Sequence, residues 1–300
     1  MRQAFANATL AVGELDERLV LLVGDISHGI LRPFAERFPD RYYNVGICEP
    51  TIVNMAAGLS HVGLIPVVHT IAPFLIERSF EQIKLDFGYQ QRSVNLISVG
   101  SAFDYAQLGC SHHCYDDLAL LSQFENARIF VPGTAAEFAA QFKTWYQRPG
   151  INYFRLSEFP HDREVLASGP GCVRARGGDD VTIVALGPRL EAAMNASEDL
   201  ASEGVDADVL YISVFKPLDP AMIIESVQRT GRLVTVEEHS AHGGLGDECL
   251  KALQGHEFAF RSLAICGFIH TYGTHAQLCD EAGISSRDIA EAALTMVRSP

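Results

Sequence analysis

Glu49 has the strongest claim to chemistry of any side chain in this sequence. It follows Val45-Gly46-Ile47-Cys48 and precedes Pro50 and a helix-forming run, which sets its carboxylate at a helix start. Such a carboxylate can be a cap stabilised by free N–H groups. It can also be a carboxyl held in an apolar cleft, where desolvation raises the pKa and a proton can be shared with a ligand nitrogen. Spacing leaves both readings open. A second concentration is Cys110-Ser111-His112-His113-Cys114, whose histidines suit loop structure or substrate contact and proton transfer. Its C-S-H-H-C pattern invites zinc. The spacing is too tight for all four side chains to reach one tetrahedral ion, and no metal ligand is assigned. His69 closes an apolar run as a core histidine would. His239 and His242 lie just before the G-G-L-G of residues 243–246, either a plain turn or an anion cradle at a helix start.

These residues need a frame that brings loops together. The first half alternates strand-like and helix-like runs: apolar stretches at 18–25, 41–46, 64–70, 93–100, 127–133 and 152–157, separated by helical spacing at 3–17, 30–38, 51–63, 74–87, 116–123 and 134–147. Short, continuously apolar strands between helices suit a parallel sheet covered on both faces. Open parallel sheets bind ligands beyond the carboxyl ends of their strands. The loops at 24–29, 46–50, 69–74 and 109–113 occupy that position. Residues 161–178, rich in Pro, Gly and charge, read as a linker. The β-α order then restarts, with strands at 180–187, 207–213, 232–238 and 260–267 and helices at 189–203, 219–229, 247–254 and 285–297. The expectation is two open α/β sandwich domains, 1–160 and 179–300.

Composition sets outer limits. Of 300 residues, 48% are hydrophobic and 20% charged, ordinary globular usage that excludes disorder and collagen-like repeats. A net charge of −14 disfavours nucleic-acid backbones. The apolar runs are strand-sized, too short to span a membrane. Seven dispersed cysteines without C-x-x-C fit reduced thiols in the cytoplasm. G-x-G-x-x-G after a strand and the P-loop pattern are both absent, which disfavours dinucleotide and P-loop functions.

At Glu49 the pattern becomes specific. R-Y-Y-N-V-G-I-C-E-P resembles the R-F-x-x-x-G-I-x-E segment of the pyrimidine-binding domain of the transketolase family, which includes 1-deoxyxylulose-5-phosphate synthase and 2-oxoacid dehydrogenase β subunits. The likeness continues in order through A-A-G-L-S-H-V-G-L-I-P, F-L-I-E-R-S-F-E-Q-I-K, G-C-S-H-H-C-Y-D-D-L-A-L-L and F-R-L. It ends in V-T-V-E-E-H-S-A-H-G-G-L-G, which resembles the family's C-terminal domain. The family's G-D-G…N diphosphate-binding segment has no counterpart here.

The resemblance implies a pyrimidine-binding domain followed by a transketolase C-terminal domain, in one subunit of a split enzyme. A separate N-terminal diphosphate-binding subunit would complete an α₂β₂ heterotetramer using thiamine diphosphate, with Mg²⁺ held mainly by the partner. In this family a glutamate bonds pyrimidine N1′ and stabilises the imino tautomer that takes the thiazolium C2 proton; Glu49 matches it. Phe74 matches the aromatic that stacks on the pyrimidine, and Ile47 and Ile71 are expected beside it. His112 matches a histidine that assists proton transfer or stabilises an oxyanion. Arg155 matches an arginine that binds substrate phosphate, and His28 and His113 are also expected on the substrate side. The implied reaction is transfer of a two-carbon ketol unit from a ketose to an aldehyde acceptor. A 2-oxoacid dehydrogenase β subunit and a non-catalytic scaffold are the alternatives.

Departures from the family lie on the substrate side. Leu108 replaces an aspartate that contacts a donor hydroxyl, and Gly100 stands where sugar-phosphate transketolases have a histidine. Gly29 stands at a phosphate-binding serine, and Ile71 replaces a phenylalanine. A site without those partners discriminates differently.

Overall fold

In the computed structural model, which describes residues 1–163, 165, 169 and 171–298, the chain forms two α/β sheets. The first contains β1 (Leu19–Val23), β2 (Tyr42–Asn44), β3 (Ile65–Ile71), β4 (Val94–Val99), β5 (Ala127–Phe130) and β6 (Ile151–Arg155). The second contains β7 (Val173–Arg176), β8 (Val181–Leu186), β9 (Ala207–Ile212), β11 (Arg232–Ser240) and β12 (Ala259–Ile265). β10 (Val214–Lys216) follows β9 in sequence yet adds to the first sheet, giving the order β10-β5-β6-β4-β3-β1-β2. The second runs β12-β11-β8-β9-β7. Among the described residues, only the edge strands β10 and β7 are antiparallel to their neighbours.

β1, β4, β8 and β9 are buried along their whole lengths, as expected for central parallel strands with helices on both faces. The helix Arg2–Leu15 buries Phe5 and Val12, and Ala135–Trp145 buries Phe138 and Phe142; both cover one face. The latter starts on a capping box, with Thr134 accepting from the Glu137 amide while Glu137 reaches back. One apolar core runs on from Val68, Leu96 and Ile129 to Leu186, Ile212 and Phe215, so the two sheets share an interior.

Two sequence expectations change. The segment expected as a linker at 161–178 contains β7, whose Arg174 pairs with the buried Asp208 at 2.9 Å; part of the segment lies outside the described residues. The single helix expected at 74–87 is divided into π-helical turns at Pro73–Glu77 and Ile83–Tyr89 around a short α turn, Phe80–Gln82. The Arg78 amide donates to the Pro73 carbonyl at 3.0 Å, an i→i+5 bond that widens the turn and re-aims the side chains it carries.

Candidate active site

The loops after β1, β2, β3 and β4 gather at the carboxyl end of the first sheet. Gly46 and Ile47 follow β2 there, and the helix Glu49–His61 opens with Glu49 at its first position. The Glu49 side chain turns inward and the residue is 1% exposed, while Ile47 two residues earlier is 68% exposed. Arg78, at the end of the π turn, donates from Nη1 to Glu49 Oε2 at 2.7 Å. The same guanidinium lies over the Phe74 ring, 4.1 Å from its centroid. His112 approaches that ring edge-on at 5.3 Å and pairs its Nδ1 with Ser111 Oγ at 3.1 Å. Glu49, Phe74 and His112 are thus linked through three contacts, two of them made by Arg78, a residue to which the sequence motif attached no role.

The β1 loop is tied to this group through backbone. Asn44 Oδ1 accepts from the amides of Asp25 and Gly46, joining the loop of His28 to the segment leading to Glu49. His28 is exposed and pairs with Asp25 Oδ1 at 3.0 Å. Beneath, His69 is buried as a core histidine: Nδ1–H donates to the Ile97 carbonyl, leaving Nε2 to accept from the Ser27 hydroxyl at 2.9 Å. Burial pushes its pKa down to about 4. Ile71 ends β3 and is half-buried.

His113 and Arg155 lie away from this surface. His113 is 4% exposed with its ring edge-on to Phe103 at 5.3 Å, and burial lowers its pKa. Arg155 is 4% exposed, at the end of β6. Its Nε donates to Asp117 Oδ2 at 2.9 Å, and Nη2 donates to the carbonyls of Cys114 and Glu238 at 3.2 and 2.9 Å. Tyr153 also donates to Asp117, at 2.6 Å. Arg155 therefore fastens the loop after β4 to β11 of the second sheet through its Nε and Nη2 donors. His239, also buried, accepts from the Ala119 amide at 3.3 Å across the same boundary.

G-G-L-G does cradle an anion, but an internal one. The amides of Leu245 and Gly246 donate to the Glu237 carboxylate at 2.7 and 3.0 Å. Burial pushes that carboxyl up to about 7 while the two N–H bonds hold it down.

The family model for the transketolase pyrimidine binding domain matches residues 1–159, and that for the transketolase C-terminal domain matches residues 171–289. The chain belongs to the transketolase family. It is 30% identical to an apulose-4-phosphate transketolase subunit of Phocaeicola vulgatus over 99% of this chain and 97% of that one. A 6-deoxy-6-sulfo-D-fructose transketolase subunit of a Clostridium species is 26% identical, covering 98% and 93%. Among solved structures, a split gene transketolase described as an inactive beta4 tetramer superposes with a TM-score of 0.87, at 30% identity over 99% of this chain and 97% of that chain.

Against the transketolase pattern, the substitution at Gly100 has a visible cause. Its φ is +75°, and a Cβ there would lie 2.3 Å from Tyr105 Cε2. The Tyr105 ring fills the space a histidine at position 100 would need, and it packs toward His112 at 6.3 Å. Gly109 (φ +72°) admits Tyr272, whose ring would be 2.7 Å from a Cβ at that position. A loop of the second domain thereby rests on the turn leading to His112, a contribution no motif disclosed.

At the end of β11, the buried Glu238 lies between Arg189 at 2.9 Å and His275 Nε2 at 3.2 Å, with Cys279 Sγ 3.8 Å from His275. The imidazole, carboxylate and thiol are close enough to share a metal ion. The Arg189 cation beside them instead makes the group an ion triad. Burial opposes the charge on His275, but Glu238 and Cys279 more than offset it, raising its pKa to about 10. A raised folded-state pKa contributes stability that is full below the unfolded value near 6.5 and is lost as pH rises through 10. The stability difference between the wild type and His275→Gln in urea should therefore shrink steadily from pH 6.5 to 10. A difference independent of pH would mean the histidine is neutral in the fold.

Proposed function

We propose that this chain is the pyrimidine-binding subunit of a two-component, thiamine-diphosphate-dependent transketolase that moves a two-carbon ketol unit between a ketose, phosphorylated or not, and an aldehyde. The observation that carries this reading is the buried Glu49 carboxylate joined through Arg78 to the Phe74 ring, with His112 at the ring's edge. The donor set suits an aminopyrimidine: an oxygen to meet a ring nitrogen, an aromatic face to stack on, and a half-buried Ile71 at the end of β3. When bound, the cofactor supplies a carbanion-forming thiazolium that serves as electron sink for C–C cleavage beside a carbonyl. Glu49 shares the proton on the ring nitrogen, and its burial excludes water from that exchange. Phe74, Ile71 and Ile47 orient the ring. His112, on a loop pinned by Tyr272, transfers a proton to or stabilises the oxyanion of the substrate, and His28 contributes on the outer rim. The relatives named as transketolase subunits support a separate partner, and in this reading that partner anchors the diphosphate and Mg²⁺ in an α₂β₂ assembly, with the chain's own two domains divided ahead of β7. Free cysteines throughout suit a cytoplasmic setting.

Thiamine diphosphate binding tests the division of labour. Calorimetry should detect no tight binding by this chain alone, and binding should emerge when the diphosphate-binding partner and Mg²⁺ are added. Tight binding by the isolated chain would overturn it.

A further inference from the structure

Arg78 has no task in that chemistry, yet it makes the closest contacts in the site. Its Nη1 lies 2.7 Å from Glu49 Oε2, and its guanidinium carbon lies 4.1 Å from the centroid of the Phe74 ring. The two anchors are unequal in exposure: the Glu49 side chain is 2% exposed and that of Arg78 44%. A guanidinium is planar, presents N–H donors along its edge and stacks on aromatic faces. An aminopyrimidine shares those properties. A buried carboxylate without a partner is costly, so Glu49 needs a companion when no ligand is bound. The half-exposed arginine is the one that has solvent to withdraw into.

We propose that Arg78 is a stand-in for the cofactor's aminopyrimidine: it pairs with Glu49 and covers Phe74 in the free chain, and it yields both contacts when the ring enters. This rests on the assignment of Glu49 and Phe74 to that ring. Two consequences follow from the geometry. The site is kept assembled before cofactor arrives, with Glu49 and Phe74 held in place by one group. The same group competes with the cofactor, so the observed affinity is the intrinsic one reduced by the fraction of chains in which Arg78 has moved aside.

The test is thiamine diphosphate binding, by calorimetry, to the chain reconstituted with its partner and Mg²⁺, comparing wild type, Arg78→Ala, Arg78→Gln and Glu49→Ala. Removing the stand-in should tighten binding on the order of fivefold, the size of an ion pair with one half-exposed member. Arg78→Gln covers the case in which the alanine variant folds poorly. Guanidinium ion at millimolar, non-denaturing concentration should return Arg78→Ala toward wild-type affinity, which a scaffolding role would not produce. Unchanged or weaker binding in both Arg78 variants, with Glu49→Ala impaired, would overturn the stand-in and leave the Glu49 assignment intact. Wild-type binding by Glu49→Ala would instead remove the assignment on which it rests.

Discussion

In the assembled enzyme, Glu49→Ala should lower kcat by at least about 10²–10⁴-fold, the range expected when a positioned acid–base group is removed. Glu49→Gln should be nearly as damaging. It keeps the shape and one acceptor but cannot pass a proton, so it separates hydrogen bonding from proton sharing. The loss should fall on kcat and kcat/KM together, because the missing interaction acts on the chemistry and not on sugar binding. Burial makes this a clean experiment: at 1% exposure, water cannot substitute freely for the lost carboxylate. Folding must be monitored alongside, since Arg78 loses its partner in the variant. Near wild-type turnover in a folded, assembled Glu49→Gln enzyme would remove the carboxylate from the mechanism.

Glu49 was legible because its position combines several local signals: a glycine turn, a proline at the start of a helix, and an ordered series of motifs in the same register. The central strands were legible for a related reason. Five- and six-residue apolar runs between helices have few alternatives to a buried parallel sheet. What escaped detection depends on contacts distant in sequence. β10 has three residues and joins a sheet whose other strands end some 60 residues earlier, at Arg155, so no local period marks it. The π turns at Pro73–Glu77 and Ile83–Tyr89 preserve the apolar spacing of an ordinary helix while changing where Arg78 points. Tyr272 reaches Gly109 only through the fold. For Arg155 and His113, residue type and motif position gave the expectation of substrate contact, whereas burial against Asp117 and Phe103 is a property of the packed chain.

Arg155→Ala should reveal its cost in stability before any cost in substrate binding. The substitution strips the partner from Asp117, a fully buried carboxylate whose remaining described bond comes from Tyr153 at 2.6 Å. It also leaves the carbonyls of Cys114 and Glu238 without their shared donor at the boundary between the two sheets. Removing one member of a buried ion pair typically destabilises by about 3–5 kcal/mol. That is a large share of the roughly 5–15 kcal/mol that holds a native fold. Urea unfolding should show a matching fall in midpoint, and the double replacement of Arg155 and Asp117 by leucine should recover much of it, since an apolar pair leaves no charge stranded. An arginine that gave up these partners to bind phosphate predicts the opposite division. Stability would then stay within about 0.5 kcal/mol, as for a surface change, while KM for a phosphorylated substrate rose. A fall in stability with KM unchanged assigns Arg155 to the boundary alone, whereas a fall in stability together with a rise in KM divides its work, Nε and Nη2 holding Asp117, Cys114 and Glu238 while Nη1 meets the phosphate.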